Sequence, residues 1–208
     1  MFIDDEVICG FGRTGNAFGA QTFGIRPDTM SLAKALSSAY LPISAVVIPE
    51  FMYEPMVESS RKIGVFGHGF TYSGHPVSAA VAVRTLQLYE ERQVFAHAAK
   101  VAEYFQARLA ALSDHGLVGE ARGVGLIGGC EMVADRGTGR AFANPGKVGA
   151  YCLDRCQEHG LIVRNIGDTI ALCPPLVITE SEIGELFDRL ARALDDPLAW
   201  VEREALRG

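Results

Sequence analysis

Short runs of apolar residues, each bounded by turn-forming or polar residues, predict strands in the first half of the chain. They occur at Phe2-Ile3, at Met30–Ala33 and at Ile43–Ile48, where the third run is rich in β-branched residues and lies between two prolines. Runs of this kind, without alternating polar positions, are typical of strands that are buried on both faces. The first half of the chain therefore predicts a buried sheet.

Apolar positions at helical spacing separate and follow these strands. They predict helices over Val77–Arg92 and Val94–Leu112. A third helix is predicted over Pro49–Ser60, and we expect Pro55 to break it because proline lacks the amide hydrogen that a helix interior uses.

The second half of the chain alternates between the same two patterns. A helix is predicted over Asn144–His159, with Asn144 as its N-cap, and a last helix opens at Thr179 with an acidic first turn. Four strands are predicted, at Leu117–Arg122, Leu126–Val133, Leu161–Arg164 and Thr169–Leu172. This alternation predicts a second, smaller α/β domain.

Composition and charge exclude several classes of protein. The 208 residues are 49% hydrophobic and 21% charged, as in ordinary globular proteins. A net charge of −6 without any block of Lys or Arg argues against binding to nucleic acid. No apolar run is long enough to span a membrane, and no leader opens the chain, so we expect a cytoplasmic protein. The start inside the strand pattern at Phe2-Ile3 suggests that an N-terminal part is missing.

The cysteines predict reduced thiols. There are five, an odd number, which does not fit a disulfide framework. Cys152 and Cys156, followed by His159, have the spacing of metal ligands, but they also share one face of the predicted helix and no second ligand pair accompanies them. Buried helix cysteines are the favoured interpretation, and no metal site is predicted.

Candidate chemistry gathers at the ends of the first two strands. Carboxylates follow the first strand in Asp4-Asp5-Glu6-Val7, and Lys34 follows the second. In α/β sheets, ligand sites form at the carboxyl edge of the strands. One interpretation of Lys34 is an exposed lysine at a strand end. The other is a lysine buried among apolar neighbours, whose lowered pKa makes it a Schiff-base nucleophile.

Two glycine-containing loops are further candidates. Gly10-Phe-Gly-Arg-Thr-Gly15 partly resembles a phosphate-binding loop, but its spacing matches neither nucleotide motif and no helical pattern follows it, so a tight structural loop is predicted. The segment His68–Pro76 combines hydroxyl groups, imidazoles and glycines. It is either an anion-binding loop or a solvated polar loop.

Six segments together carry a family resemblance: Phe2–Val7, Gly10–Gly15, Pro27-Asp28, Leu32–Leu36, Gly69–Pro76 and Arg122–Leu126. Taken in order, they resemble the class III (omega) pyridoxal-phosphate-dependent aminotransferases, over the C-terminal part of that family's chain. The resemblance implies an α/β protein of fold type I among the PLP-dependent transferases, and a homodimer with its site at the interface.

The resemblance also implies roles for individual residues. Lys34 is similar to the lysine that forms the Schiff base with pyridoxal 5'-phosphate and then moves a proton. Asp5 is similar to the acid that pairs with the pyridine nitrogen, and Val7 to a residue that packs on the ring face. Thr71 is similar to a hydroxyl residue that reaches the phosphate across the dimer interface. Arg164 is similar to an arginine that binds the substrate carboxylate, although a surface arginine at a strand end is the alternative.

The same resemblance divides the chain and suggests an activity. Residues 1–93 correspond to the C-terminal part of the large PLP-binding domain, 94–112 to a connecting helix and 113–208 to the small domain. Leu36–Ile43 resembles the branch that transfers an amino group from an amine or omega-amino acid to a keto acid such as pyruvate, with small molecules as substrates. The alternatives are a relative with aminomutase activity, and a non-catalytic or split fragment of such an enzyme.

Overall fold

The computed structural model describes residues 1–207, which form two compact units. Unit 1 runs from Met1 to Ala96, and unit 2 begins at His97. The division falls inside helix α4, which spans Val94–Ala111. None of the helices formed by residues 1–207 combines the length and the apolar character needed to cross a bilayer.

Unit 1 is built on a sheet of three short strands in the order β1-β2-β3. β1 and β2 run parallel, and β2 and β3 run antiparallel. The described elements of unit 1 are β1 (Ile3–Asp5), α1 (Gly19–Phe23), β2 (Thr29–Leu32), a 3-10 helix (Lys34–Ser37), β3 (Ala45–Val47), α2 (Glu50–Ile63) and α3 (Pro76–Glu91).

Helix α1 was not predicted, because five residues are too few for a periodic pattern to be recognised. It is held in place by the buried side chain of Glu6, just after β1. The Glu6 carboxylate accepts hydrogen bonds from the backbone N–H groups of Gly19 at 2.9 Å and Ala20 at 2.7 Å. Backbone N–H groups at a helix N-terminus have no partner within the helix, and a carboxylate can accept their hydrogen bonds.

Helix α2 corrects a prediction, since Pro55 lies inside it without breaking it. The proline removes the hydrogen bond that the carbonyl of Phe51 would otherwise accept. That loss is tolerated because α2 buries none of its residues, so water can bond to the free carbonyl. Helix α3 confirms the helix predicted over Val77–Arg92.

Unit 2 contains a four-stranded antiparallel sheet in the order β4-β5-β7-β6, packed with three helices. Its core is a continuous cluster of buried apolar side chains from α4, from the sheet and from both later helices. The elements after α4 are a 3-10 helix (Leu112–Asp114), β4 (Val118–Val124), β5 (Ile127–Met132), α5 (Lys147–Glu158), β6 (Arg164–Ile166), β7 (Thr169–Leu172) and α6 (Glu180–Arg203).

The strand predicted at Leu161–Arg164 is wrong in its bounds, because β6 begins only at Arg164. Leu161 is buried in the core cluster and Val163 packs against it, whereas Ile162 is 91% exposed. The apolar run therefore reflects contacts with the core rather than strand pairing. Asn165 and Ile166, which lie between the two predicted strands, form the rest of β6. Strands β6 and β7 make a hairpin in which Ile166 pairs with Thr169.

The start of α5 also differs from the prediction, since the helix begins at Lys147 and Asn144 does not cap it. The cap comes from the hairpin turn: the Asp168 carboxylate accepts hydrogen bonds from the N–H groups of Gly146 and Gly149, both at 2.8 Å. A Cβ atom at Gly149 would overlap the carbonyl oxygen of Gly167. Glycine at position 149 thus allows the turn to approach the helix closely.

Candidate active site

The carboxyl ends of the parallel strands β1 and β2 lie side by side, with Asp5 paired in register with Ser31. The Oδ1 atom of Asp5 accepts a hydrogen bond from the Ser31 hydroxyl at 2.9 Å and another from the Val7 N–H at 3.1 Å. Both bonds use the same oxygen, so they orient the carboxylate through one of its two oxygen atoms. The strand pairing thereby fixes an exposed acid at the sheet edge where ligand sites form.

The surroundings of Asp5 favour its charged form. The Val7 N–H and then the Ser31 hydroxyl lower the pKa of this carboxyl, and the positive charge of Lys34 lowers it further. A carboxylate that accepts hydrogen bonds in its charged form releases its proton more readily. Asp5 is therefore suited to hold a protonated basic group of a ligand.

The acids on either side of Asp5 have other environments. Burial, together with the neighbouring Glu6, raises the pKa of Asp4, and the Oδ2 atom of Asp4 is buried without a hydrogen-bond partner. Glu6 is buried and serves as the N-terminal anchor of α1. Among these three consecutive acids, only Asp5 is exposed and available to a ligand.

Lys34 lies two residues beyond β2, where the chain leaves the strand and enters the 3-10 helix. Its backbone has a φ of 40°, and Ser38 and Ala39 follow with φ values of 51° and 59°. Residues other than glycine seldom adopt these angles, and such strained positions concentrate at functional sites. We refer to residues Lys34–Ala39 as the Lys34 loop.

The prediction that Lys34 is buried is wrong, because its side chain is exposed in this chain. The preceding apolar run directs Leu32 into the unit, but the strand ends there and the chain turns. Apolar neighbours in sequence therefore do not enclose the lysine. Its positive charge still helps to lower the pKa of Asp5, although less than the hydrogen bonds from Val7 and Ser31 do.

The other two predicted site residues of unit 1, Val7 and Thr71, differ in their position relative to Asp5. Val7 is half-buried directly beside Asp5, to which its N–H donates. Thr71 is exposed on the loop that precedes α3. Its neighbours Phe70 and Tyr72 contribute to a cavity of about 560 Å³, which neither Asp5 nor Lys34 lines.

Arg164 belongs to unit 2, where it is the first residue of the edge strand β6. Its side chain is exposed, and its backbone pairs with Ala171 of β7. The position at a strand end agrees with both interpretations that the sequence left open.

Sequence reasoning missed two residues that contact the site. Ser31 is the hydroxyl partner of Asp5, and aligning the two predicted strands in parallel would have suggested it. The hydroxyl of Tyr89, on α3, donates a hydrogen bond to the carbonyl of Ala35 at 2.7 Å. No local signal predicts that bond, because the two residues lie 54 positions apart.

None of the five cysteines forms a disulfide, and Cys130, Cys152 and Cys156 are completely buried in unit 2. Burial raises the pKa of the Cys130 thiol to about 12. A hydrogen bond with Cys156 raises the pKa of Cys152, again keeping the thiol protonated. Within residues 1–207, no group of three or more His, Cys, Asp or Glu side chains is arranged to hold a metal ion.

Comparison with known proteins adds the family context. Residues 1–194 match the family model described as "Aminotransferase class-III". The chain is 45% identical over 97% of its length to gamma aminobutyrate transaminase 3, chloroplastic, of Solanum lycopersicum, and covers 39% of that protein. It is 46% identical over 97% of its length to the putrescine–pyruvate aminotransferase of Pseudomonas aeruginosa, covering 43% of it.

A solved structure agrees with these relatives. The omega transaminase from Pseudomonas jessenii in complex with PMP superposes with a TM-score of 0.93 at 50% identity, over 96% of this chain and 44% of that one. The chain thus spans less than half the length of these relatives, and the match confirms the predicted α/β fold of the PLP-dependent transferases.

Proposed function

Because the chain belongs to the class-III aminotransferases, we propose that it carries the catalytic lysine of an enzyme that moves an amino group from an amine or omega-amino acid to a keto acid such as pyruvate. One observation carries the proposal. Asp5 is an oriented carboxylate with a lowered pKa, and Lys34 lies close enough to contribute to that lowering. The names of the relatives, which include a putrescine–pyruvate aminotransferase, support the same substrate classes.

The residues present fit pyridoxal 5'-phosphate, the cofactor of this family. A primary amine suits its aldehyde, and an oriented carboxylate suits its ring nitrogen. When bound, the cofactor supplies an electron-withdrawing ring that stabilises negative charge on the substrate carbon. The half-buried Val7, next to Asp5, is suited to pack against the face of that ring.

Two residues of this chain would perform the chemical steps. The Nζ atom of Lys34 would hold the cofactor covalently. Once the substrate amine had displaced it, the free Lys34 amine would take a proton from the substrate carbon that bears the amino group and deliver it to the cofactor carbon. The Asp5 carboxylate would keep the ring nitrogen protonated, because a nearby opposite charge raises the pKa of a basic nitrogen.

The remaining assignments rest on the resemblance together with the exposure of the residues. We assign Thr71 to the phosphate of a partner subunit's cofactor, which requires a homodimer with the site at its interface. We assign Arg164 to the carboxylate of the substrate, since a guanidinium binds two carboxylate oxygens at once. Both side chains are exposed and available for such contacts. Five cysteines, none of them in a disulfide, support a reducing, cytoplasmic location.

Covalent labelling tests the assignment of Lys34. The chain is incubated with pyridoxal phosphate and reduced with borohydride, and the label is located by peptide mass spectrometry. We expect the label on Lys34, its loss in Lys34→Ala and its persistence in Lys62→Ala, where the replaced lysine is exposed on α2 and paired with Glu58 at 2.6 Å. A label spread evenly over Lys34, Lys62, Lys100 and Lys147 would count against the proposal.

A second candidate is a chain that is active only with a complementing polypeptide. It is favoured by the many large apolar side chains that unit 1 exposes, among them Phe51, Phe70 and Tyr72. Expressing the chain alone and assaying amino transfer from an amine to pyruvate separates the candidates. Turnover comparable to that of full-length relatives would exclude the second one, and labelling of Lys34 without turnover would support it.

A further inference from the structure

A hydrogen bond from α3 ties the backbone of the Lys34 loop to the rest of unit 1. The Tyr89 hydroxyl donates to the carbonyl oxygen of Ala35, the residue directly after Lys34, at 2.7 Å. The same carbonyl oxygen accepts the N–H of Ser38 at 3.2 Å, which is a bond within the loop. The Tyr89 bond therefore connects the loop to a long helix that lies far along the chain.

The Lys34 loop needs such support because its backbone is strained. Lys34, Ser38 and Ala39 all have positive φ angles, and the loop is closed by a bond from the Ala39 N–H to the Lys34 carbonyl at 3.0 Å. Conformations of this kind persist only where the surroundings determine them. The side chain of Lys34 extends from the first residue of this segment, so the backbone of the loop sets the direction in which that side chain begins.

The side chain of Tyr89 is half-buried and contacts a neighbouring aromatic ring. Its ring lies 5.5 Å from the ring of Phe95, and both rings line a cavity of about 480 Å³ together with Phe11 and Phe18. Burial raises the pKa of the Tyr89 phenol above its ordinary value, although the Ser38 hydroxyl and the charge of Arg13 act in the opposite direction. The phenol therefore keeps its proton at neutral pH and remains a donor.

We propose that Tyr89 is a positioning residue that fixes the direction of the Lys34 amine by holding the Ala35 carbonyl. It acts through the backbone and does not touch the cofactor or the substrate. The proposal rests on the function proposed for Lys34, but its structural part concerns contacts within this chain alone.

The test compares Tyr89→Phe with Tyr104→Phe. The first variant keeps the ring and removes only the hydroxyl. The control removes a hydroxyl of unit 2 that accepts a bond from Arg108 at 3.0 Å. Hydrogen exchange of the Ser38 and Ala39 amides is measured in the original chain and in both variants, before any pyridoxal phosphate is added. Losing one neutral hydrogen bond is expected to speed their exchange about two- to tenfold in Tyr89→Phe only.

The second readout is the rate at which pyridoxal phosphate and borohydride label Lys34, relative to the exposed Lys62. We expect this ratio to fall about two- to tenfold in Tyr89→Phe and to stay unchanged in Tyr104→Phe, since a mobile loop loses its preorganisation. Faster exchange together with a lower ratio supports the proposal. Unchanged exchange, or an unchanged ratio, overturns it. If the original chain takes no label on Lys34, the proposed function fails instead, and the exchange result still decides whether Tyr89 holds the loop.

Discussion

The two units of this protein are stabilised in different ways. In unit 2, apolar side chains from three helices and a sheet form one continuous buried cluster, in which Phe105, Leu109, Phe187 and Leu190 are at most 1% exposed. In unit 1, the buried apolar residues among positions 1–96 are few and scattered. They are Phe11, Ala20, Leu32, Ala82 and Val94.

The polar residues show the opposite distribution. Every buried polar or charged residue recorded within residues 1–207 lies in unit 1: Glu6, Thr14, Thr29, Ser37, Ser78 and Thr85. Several of them accept or donate bonds that fix loops, as Glu6 does for α1 and Ser37 does through the carbonyl of Leu41 at 2.6 Å. Such bonds each contribute little net stability, on the order of 1 kcal/mol, but they define geometry.

The comparison teaches that the candidate site lies in the unit with the smaller core. Apolar burial stabilises by roughly 25 cal/mol per Å², so unit 2 is expected to be the more stable unit. The bonds of unit 1 hold Asp5 and the Lys34 loop in a defined arrangement instead. A ligand that binds only the folded form would then stabilise unit 1 more than unit 2.

The largest expected effect is the truncation of a core ring in unit 2. Phe105→Ala removes a fully buried ring that packs edge-to-face on Phe187 at 5.1 Å. It should lower the free energy of unfolding by about 3–5 kcal/mol. The matched change in unit 1, Phe51→Ala, alters a ring that is 60% exposed and should cost less than about 0.5 kcal/mol.

Urea unfolding followed by circular dichroism and by the fluorescence of Trp200, the single tryptophan of the chain, measures both effects. Equal losses for the two variants would show that the contrast in burial does not translate into a contrast in stability.

An intermediate effect on stability is expected when alanine replaces a glycine that has no room for a Cβ atom. Gly149→Ala should destabilise by about 1–3 kcal/mol, because its Cβ would overlap the Gly167 carbonyl and force the turn away from α5. In unit 1, Gly67→Ala meets nothing within 4 Å and should change stability by less than about 0.5 kcal/mol.

A second control for Gly149 lies in the same unit. Gly184 is inside α6, and a Cβ there would make only an ordinary contact with the Tyr104 hydroxyl at 3.4 Å. Gly184→Ala should therefore stabilise by about 0.5–1 kcal/mol through helix propensity. Thermal unfolding of the three variants is the measurement. Stabilisation by Gly149→Ala would contradict the close approach of the turn to the helix.

The smallest expected effect concerns the start of α6. Thr179 caps this helix by accepting the N–H of Glu182, and the Glu182 carboxylate accepts the Thr179 N–H at 2.8 Å. Thr179→Ala should lower stability by about 1 kcal/mol. The bonds from Thr179 lower the pKa of Glu182, so its contribution is present above the ordinary glutamate pKa and is lost as pH falls through the lowered value.

The measurement is the free energy of unfolding as a function of pH, in the original chain and in Glu182→Gln. It checks whether the contribution of Glu182 to stability is lost in acid. The difference between the two should shrink as the pH decreases and vanish below the lowered pKa. A difference that grows in acid would mean that the folded state prefers the protonated acid. Asp5 in unit 1 also has a lowered pKa, but we expect its charge to serve the ligand.

Much of the secondary structure could be predicted from the pattern of apolar and polar residues within short segments of the sequence. Both ends of the long helices α3 and α4, and the start of α6, were predicted close to where they are observed, because a repeating apolar stripe over several turns leaves few alternatives. The capping residue Thr179 was equally visible, since it acts within one turn of itself. The predicted strand ends, which are local features, pointed to Lys34 and to the carboxylates of residues 4–6 as candidates, and the family resemblance singled out Asp5 among them.

Only the tertiary structure decided how those residues are surrounded. The exposure of Lys34, the carboxylate of Asp168 at the start of α5 and the bond from Tyr89 to Ala35 all depend on segments distant in sequence. A periodic pattern records which face of an element is apolar, but it contains no information about which remote side chain reaches a given backbone atom. The sequence by itself therefore determined the long helices, most of the strands and the candidate chemistry. The packing of distant segments determined which acid stays charged, which helix end is capped and what holds the Lys34 loop, because hydrogen bonds and burial depend on position in space.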